Sequence, residues 1–212
     1  MVFSVLENHA LLDPVGALGY CADMSNYTHP WHIKRAVQII RNGGVIAYPT
    51  EAVWGLGCDP WNRKAVERLL SLKSRAVDKG VILACGDIRQ LDFLLDSLAP
   101  SLYEKLSASW PGANTWLVPD DGGKIPIWIK GTHESVAVRV SKHSLIKSIT
   151  HELGRPIVST SANPAGADPA MNALRIHQYF GDLLDYIVPG ALGLEQQPSR
   201  IMDLKSGAVI RN

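Results

Sequence analysis

Apolar residues recur along this chain with two spacings, one typical of helices and one typical of strands. The first helical stripe follows the spacing i, i+3, i+4, i+7 and consists of Ile33, Ala36, Val37 and Ile40. Thr28 suits the N-cap of this helix and Pro30 suits its first turn. Asn42-Gly43-Gly44 predicts its end, because glycine tolerates the left-handed conformation that closes a helix.

Short apolar runs alternate with further helical patterns along the rest of the chain. The predicted strands lie at residues 45–48, 81–84, 115–118, 136–140, 156–159, 186–188, 201–204 and 208–211. The predicted helices are one capped by Asn62 and others at 101–109, 144–153 and 172–180. Residues 120–130 are predicted as a loop, and the segment after the first strand, up to Gly57, fits either a tight turn with packing glycines or backbone that approaches a ligand. Helices that alternate with strands predict a single layered α/β domain, and the short late strands indicate a mixed sheet.

Composition narrows the class of protein. The 212 residues include 21 Lys and Arg and 20 Asp and Glu, so the net charge is only +1. This balance argues against a protein whose main work is coating nucleic acid, which needs a net basic face. No apolar run approaches the roughly 18 residues of a membrane-spanning helix, so no membrane association is predicted.

The cysteines and the first residues bear on the compartment and on the domain boundaries. Cys21, Cys58 and Cys85 are odd in number and lack metal-ligand spacing, which predicts reduced thiols in a cytoplasmic protein. No Lys or Arg precedes Lys34, so the basic start of a secretory signal is missing. Residues 1–23 show no clean periodicity. We expect them to be an extension, with Met24 as the biological start and one domain over 24–212.

Three cations stand within seven residues at the end of the second predicted helix and just after it. Lys73, Arg75 and Lys79 are concentrated in a chain of nearly neutral charge. A helix C-terminus attracts cations, which alone could explain Lys73. It explains Lys79 poorly, because that residue lies beyond the helix and directly before a predicted buried strand. A polyphosphate ligand would give each cation a charge-assisted hydrogen bond.

Small polar side chains follow two predicted strands. Ser159, Thr160, Ser161 and Asn163 come after one, and Thr50 comes after another. A polar turn explains the first group equally well, and Arg139 between valines could simply face solvent. In open α/β sheets, however, ligands gather beyond the carboxyl ends of strands. The residues themselves therefore indicate a site for a phosphate compound and a small polar molecule. They match neither a dinucleotide fingerprint nor a phosphate loop nor a hydrolase nucleophile elbow.

Several motifs, in this order, resemble the YrdC family, the bacterial threonylcarbamoyl-AMP synthases. The matching segments are 48–57, 72–75, 78–80, 110–112, 136–140, 159–163, 198–203 and 209–211. Together they span about Ala36 to Arg211. The resemblance implies an open twisted mixed sheet with flanking helices in a single domain, as in the short bacterial form.

The resemblance also implies a reaction. L-threonine, bicarbonate or CO2, and ATP would give L-threonylcarbamoyl-AMP and pyrophosphate, with Mg²⁺ accompanying ATP. Partner enzymes would then transfer the threonylcarbamoyl group to an adenosine beside the anticodon of tRNA. No metal ligand from the protein, no covalent protein intermediate and no dedicated general base are expected.

Roles for individual residues follow from the same resemblance. Lys73 and Arg75 would act in catalysis and bind ATP together with the other phosphate-side residues, which are Lys79, Ser135, Asn163 and Arg211. The residues implied to bind threonine are Thr50, Arg139, Ser161 and Ser199, with Arg139 taking the carboxylate. The chain departs from the family at Ala113-Asn114, where a proline is common, and at Ala84, near which longer members carry a histidine. Those longer members also have a second C-terminal domain.

Two other functions remain open on the sequence. One is a non-catalytic module that binds double-stranded RNA in a basic concavity, although the near-neutral charge counts against it. The other is a carbamoyl-adenylate domain like that of hydrogenase-maturation carbamoyltransferases. Those enzymes are much larger chains, with acylphosphatase-like and zinc-finger regions that have no counterpart in this sequence.

Overall fold

Residues 29–211, which the computed structural model describes, form a nine-stranded mixed sheet with helices on both faces. The strands are β1 (Ile46–Pro49), β2 (Trp54–Gly57), β3 (Ile82–Cys85), β4 (Asn114–Pro119), β5 (Ser135–Val140), β6 (Ile157–Ser161), β7 (Tyr186–Ile187), β8 (Arg200–Asp203) and β9 (Val209–Arg211). The α-helices are α1 (Pro30–Arg41), α2 (Arg63–Leu72), α3 (Asp92–Leu95), α4 (Pro100–Ser109), α5 (Ile127–Lys130), α6 (Ser144–Leu153) and α7 (Ala173–Phe180). Short 3₁₀ helices occupy Val77–Lys79, Ile88–Leu91 and Gly181–Leu183.

The strand order confirms the predicted mixed sheet. Across the sheet the strands run β7-β1-β2-β6-β3-β5-β4-β8-β9. Strand β1 is parallel to β7, β3 to β5 and β4 to β8, whereas the other neighbours are antiparallel. The central strands β6, β3 and β5 therefore come from distant parts of the chain, and they bring its polar segments together.

The helix predictions that rest on periodicity are confirmed. Helix α1 buries the predicted stripe, and α6 has the predicted bounds, ending at Gly154 in the left-handed conformation. Asn62 caps α2 by accepting a hydrogen bond from the Ala65 N–H at 3.2 Å. At the start of α1 the His29 side chain accepts from the Trp31 N–H, while the predicted cap Thr28 lies outside the described residues.

Side chains alternate across each strand, so every strand contributes to both faces of the sheet. On one face, Val136, Val138 and Val140 of β5 share a core with α2, α4 and α7. On the other face, α1 and α6 cover Ile46 and Tyr48 at the β1 end of the sheet. At the β5 end this second face carries Ser135, Ala137 and Arg139, which line an open cavity.

Strand β2 occupies Trp54–Gly57, a segment for which the sequence left a tight turn open and did not predict a strand. It pairs with β1 on one side and with β6, about a hundred residues later, on the other. A side chain at Gly57 would put its Cβ 2.7 Å from the Val158 carbonyl oxygen, so only glycine fits between the strands. Glycine-rich segments have little intrinsic strand propensity, which is why the local pattern indicates a turn.

Two further boundaries also differ from prediction. The predicted loop 120–130 contains the single-turn helix α5, which begins after Pro126 and ends at Gly131. Strand β6 continues to Ser161, beyond the predicted end at Ser159, because Thr160 and Ser161 pair with β2. Polar side chains therefore lie on the strand itself and not in a turn that follows it.

The described cysteines are thiols, as predicted. Cys58 and Cys85 are buried and form no disulfide, and burial raises the pKa of Cys85 to about 12. Cys21 and the proposed extension 1–23 lie outside the described residues.

Candidate active site

A cavity of about 760 Å³ lies on the open face of the sheet. Residues from six strands form its floor, among them Leu117, Ala137 and Ile201, which lie outside the helix-packed core. Its walls are the loops that connect these strands, together with β9. The alternation of side chains along the strands thus produces both the core and the cavity.

Two of the predicted cations, Arg75 and Lys79, line one side of this cavity. The Arg75 guanidinium bends back to donate to the Gly80 carbonyl at 3.0 Å, which fixes the loop that carries Lys79. This loop rests on the following wall segment, because the Val81 N–H donates to the Ile129 carbonyl at 2.8 Å. The positions of both cations are therefore set by backbone contacts.

Arg211 lines the same cavity from the last strand. Its guanidinium donates to the Ser199 carbonyl at 3.3 Å. The pKa of Arg75 is lowered by burial and, next in size, by the positive charge of Arg211. Within residues 29–211, neither arginine nor Lys79 has a carboxylate within ion-pair distance. Three cations around one space without paired carboxylates favour an anionic ligand.

Lys73 and Asn163 lie beside the cavity and do not line it. The Lys73 ammonium donates to the carbonyls of Ser161 and, at 2.8 Å, Asn163. The Asn163 amide donates to the Ala167 carbonyl at 2.7 Å, which closes the loop after β6. Burial, and next the charge of Arg75, lowers the pKa of Lys73 to about 8. Lys73 thus ties the end of α2 to the end of β6.

Thr50, Arg139 and Ser161 line another part of the cavity wall. The Thr50 hydroxyl donates to the Val53 carbonyl at 2.7 Å, within the turn between β1 and β2. Arg139 donates from Nε to the Gly112 carbonyl at 3.1 Å and pairs through Nη2 with Glu51 at 2.9 Å. A guanidinium beside two hydroxyls is a suitable site for a small carboxylate-bearing molecule.

The two remaining predicted serines, Ser135 and Ser199, also line the cavity. Ser135 begins β5, and Ser199 precedes β8. The Ser199 hydroxyl is buried and shares a 2.7 Å hydrogen bond with Thr115, where either oxygen can be the donor. Of the ten predicted site residues, eight line one cavity, and Lys73 and Asn163 support its wall.

Glu51 is a residue beside the site that was not predicted from the sequence. Its carboxylate is buried between the Arg139 guanidinium and the Ser141 hydroxyl, which donates to it at 2.7 Å. Its position directly after Thr50 was a usable signal, since a carboxylate among apolar and small residues needs a buried partner. The identity of that partner depends on the order of strands in the sheet and cannot be inferred from the local sequence.

Residues 129–134 form a wall of the cavity, and the sequence predicted no site residue among them. Lys130, Thr132 and His133 line the cavity, in a segment that the sequence predicts only as loop up to residue 130. Asp120 fixes this segment by accepting from the Lys124 N–H at 2.7 Å and pairing with Lys130 at 2.6 Å. Gly131 packs closely on residues 75–80, the loop that carries Arg75 and Lys79 and is called the cation loop below. A Cβ at Gly131 would lie 2.2 Å from the Asp78 carbonyl oxygen.

Two features are absent from the described residues. Residues 29–211 contain no group of three or more His, Cys, Asp or Glu side chains that could hold a metal ion. In the same range, no helix is long and apolar enough to cross a membrane.

Comparison with known proteins identifies the family. The model of the Sua5/YciO/YrdC family, which carries the description "Telomere recombination", matches residues 38–212. The chain belongs to this family. A protein of Pseudomonas aeruginosa named threonylcarbamoyl-AMP synthase is 56% identical over 176 residues, covering 83% of this chain and 94% of that protein.

Solved structures share the fold. The crystal structure of P. abyssi Sua5 complexed with L-threonine superposes with a TM-score of 0.78 at 28% identity and covers 85% of this chain. This chain spans about half of that longer protein, 53% of its length. The structure of E. coli YciO gives a TM-score of 0.77 over 87% of this chain and 90% of its own, at 24% identity, and supports the fold alone.

Proposed function

We propose that this protein is an L-threonylcarbamoyladenylate synthase. It would convert L-threonine, bicarbonate or CO2, and ATP into L-threonylcarbamoyl-AMP and pyrophosphate. The Pseudomonas relative bears the name of this enzyme, and the P. abyssi relative binds L-threonine in its crystal structure. The observation in the molecule itself that carries the proposal is one cavity with two kinds of lining. Cations that have no carboxylate partner among residues 29–211 line it, and so does a guanidinium together with two hydroxyl-bearing residues.

The cation side would bind the triphosphate of ATP. Arg75, Lys79 and Arg211 are available to phosphate oxygens, since in residues 29–211 their partners are backbone carbonyls or none. Ser135 would add a hydroxyl donor from the start of β5. Lys73 and Asn163 would act on the nucleotide through the loop after β6, which they hold in place.

The guanidinium side would bind threonine. Arg139 would accept the threonine carboxylate, with Thr50 and Ser161 nearby as partners for its polar groups. Ser199, which also lines the cavity, would contribute its hydroxyl. This arrangement would orient the threonine amine, on which the carbamate forms, toward the nucleotide.

In the reaction, an oxygen of threonine carbamate forms a bond to the α-phosphorus of ATP. The bond from that phosphorus to the bridging oxygen breaks, and pyrophosphate leaves with the electron pair. Carbamates are weak nucleophiles, so alignment of the two reactants would supply much of the rate enhancement. Arg75, Lys79 and Arg211 would stabilise the negative charge that grows on the departing pyrophosphate.

Mg²⁺ would accompany ATP in this scheme. Mg²⁺ prefers oxygen ligands and is commonly bound through substrate phosphates with few protein carboxylates. The donors along the cation side are mainly cationic, so phosphate oxygens and water are its suitable ligands there. When bound, the ion would neutralise charge on the leaving pyrophosphate.

The product is an activated acyl group on AMP, which requires an acceptor. We propose that tRNA-threonylcarbamoyl transfer enzymes consume it to modify the adenosine next to the anticodon. These enzymes, ATP and tRNA would be met in the cytoplasm. RNA binding by this chain itself is the secondary expectation of the sequence, and the cavity gives no specific reason to prefer it.

The proposal is tested by pyrophosphate release from ATP and bicarbonate, with and without L-threonine, together with mass spectrometry for threonylcarbamoyl-AMP. We expect release that depends on threonine and that falls strongly in Lys73→Ala and Arg75→Ala. Release that is independent of any amino acid, or no release together with salt-sensitive RNA binding, would contradict the proposal.

A further inference from the structure

Glu51 is a buried carboxylate next to the threonine side of the cavity. It is 3% exposed and lies in the turn between β1 and β2, directly after the cavity-lining residue Thr50. The loop around Gly193 covers it so closely that a Cβ at Gly193 would lie 2.8 Å from the Glu51 Cα. Glu51 itself does not line the cavity, whereas its partner Arg139 does.

The two oxygens of the Glu51 carboxylate differ in their hydrogen-bond partners. Its Oε1 pairs with Arg139 Nη2 at 2.9 Å and accepts from the Ser141 hydroxyl at 2.7 Å. Its Oε2 is buried and has no hydrogen-bond donor among the described residues. A buried oxygen without a partner is costly, and the neighbouring positive charge is what makes this one tolerable.

Arg139 is held on two sides. Its Nε donates to the Gly112 carbonyl at 3.1 Å, and its Nη2 pairs with Glu51. The side chain retains 14% exposure and lines the cavity. A guanidinium has five N–H donors in one plane, so fixing two nitrogens also fixes the direction of the remaining donors.

We propose that Glu51 is a positioning residue for substrate binding, which holds the Arg139 guanidinium in the orientation that receives the carboxylate of the amino acid. This inference rests on the proposed function, because it assigns the ligand of Arg139 as the amino-acid substrate. The negative charge of Glu51 matters along with its shape. It offsets the cost of burying the guanidinium while the cavity holds no substrate carboxylate.

The principal test is Glu51→Gln in the full chain, with steady-state kinetics in which threonine and ATP are varied in turn. The variant keeps the size of the side chain and removes its charge. Loss of a charge-assisted contact corresponds to roughly 10-fold or more, so we expect KM for threonine to rise by at least about 10-fold. KM for ATP should change by less than about 2-fold, because the cation side is untouched.

Asp59→Asn is the matched control. Asp59 is also buried and pairs with Arg155 at 2.7 Å, and neither residue lines the cavity. This control should lose stability as Glu51→Gln does and leave KM for threonine unchanged. Glu51→Asp, which retains the charge on a shorter side chain, should give a KM for threonine between those of the wild type and Glu51→Gln.

The outcomes separate the two claims. If the wild type and Asp59→Asn make no threonine-dependent product, the proposed function fails and the inference fails with it. If both are active and Glu51→Gln has a normal KM for threonine, or an equal rise in KM for ATP, the inference alone is overturned. Should Glu51→Gln not fold, Glu51→Asp is the second variant, because it keeps the charge and shortens the side chain that reaches Arg139. A rise in KM for threonine alone then supports the inference, and an unchanged value overturns it.

Discussion

Arg75 makes its contacts to carbonyls and not to carboxylates, unlike the five described arginines that form ion pairs. Its guanidinium donates to the carbonyls of Lys79 and Gly80. A carboxylate partner would neutralise the charge, whereas carbonyls orient it and leave it able to bind an anion. The same holds for Arg211, which donates to Ser199. The residue-scale chemistry of the cation side thus depends on which partners each cation has.

At this scale, Arg75→Ala should lower kcat/KM for ATP by roughly 10- to 100-fold, as expected for loss of a charge-assisted hydrogen bond. Arg89→Ala is the matched control, since Arg89 is exposed and pairs with Asp87 away from the cavity. The measurement is pyrophosphate release as ATP is varied. An equal loss in both variants would show that overall charge, and not the position of Arg75, controls ATP binding.

Lys73 gives a prediction for stability against pH. Burial, then Arg75, lowers its pKa in the folded protein to about 8, while the unfolded chain has the ordinary value of about 10.4. Between these values the unfolded state binds more protons, so this group makes the free energy of unfolding rise with pH. We expect the wild type to gain stability relative to Lys73→Met between about pH 8 and pH 10.4.

Denaturant unfolding at several pH values measures this difference. Comparison of the wild type with Lys73→Met removes the contributions to the unfolding free energy that both proteins share. One of these is the buried thiol of Cys85, whose raised pKa makes the unfolding free energy fall with pH above the ordinary pKa of a thiol. Lys64→Met, on the exposed side of α2, is the control and should show no such trend. A difference between the wild type and Lys73→Met that does not vary with pH would contradict the prediction.

At the scale of elements, two short segments of the cavity wall support each other. The Thr132 N–H donates to the Asp78 carbonyl at 3.3 Å, and the Val81 N–H donates to Ile129 at 2.8 Å. Helix α5 has a single turn and would not be stable alone. Its position comes from Asp120, which binds Lys130 and two backbone N–H groups. The position of the cation loop therefore depends on the position of α5.

Gly131→Ala tests this dependence. Gly131 has a φ of +67°, and a Cβ there would collide with the Asp78 carbonyl, so the cation loop has to move. We expect a loss of about 1–3 kcal/mol in unfolding free energy from backbone strain, together with a large rise in KM for ATP. Gly123→Ala is the control, because Gly123 has a φ of +60° and no atom within 4 Å of the added Cβ.

Thermal unfolding and ATP kinetics separate the two effects. Both variants should lose stability, because an alanine at positive φ is strained in either place. Only Gly131→Ala should lose affinity for ATP. If Gly123→Ala weakened ATP binding to the same degree, backbone strain alone would account for the loss. The proposed dependence of ATP binding on the contact between the two wall segments would then be wrong.

At the scale of the whole molecule, the described residues form one cavity-bearing sheet with two cores. The family model begins at residue 38, and the cavity is lined by residues from Thr50 to Arg211. The domain proposed from the sequence begins at Met24. A chain over 24–212 should therefore keep the thermal midpoint and the threonine-dependent activity of the full chain. A marked loss of either in the shorter chain would show that residues 1–23 belong to the working protein.

Much of the fold could be predicted because its signals are local. The stripe from Ile33 to Ile40 requires a helix wherever it packs, and the helix predicted over 144–153 has the predicted bounds. Strand β2 could not be predicted, since its glycines become a strand only between β1 and β6. The order of motifs along the chain was sufficient to indicate the family, which the comparison confirms.

The sequence by itself determined the helices and most strands, the family, and which polar residues were candidates for the site. The tertiary structure decided which of these face the cavity. Lys73 reaches Ser161, 88 positions later, and Glu51 reaches Arg139, through contacts that exist only because β2, β6, β3 and β5 are neighbours. Backbone periodicity fixes the direction of a side chain relative to its own element, and only the order of strands fixes which other residue it meets.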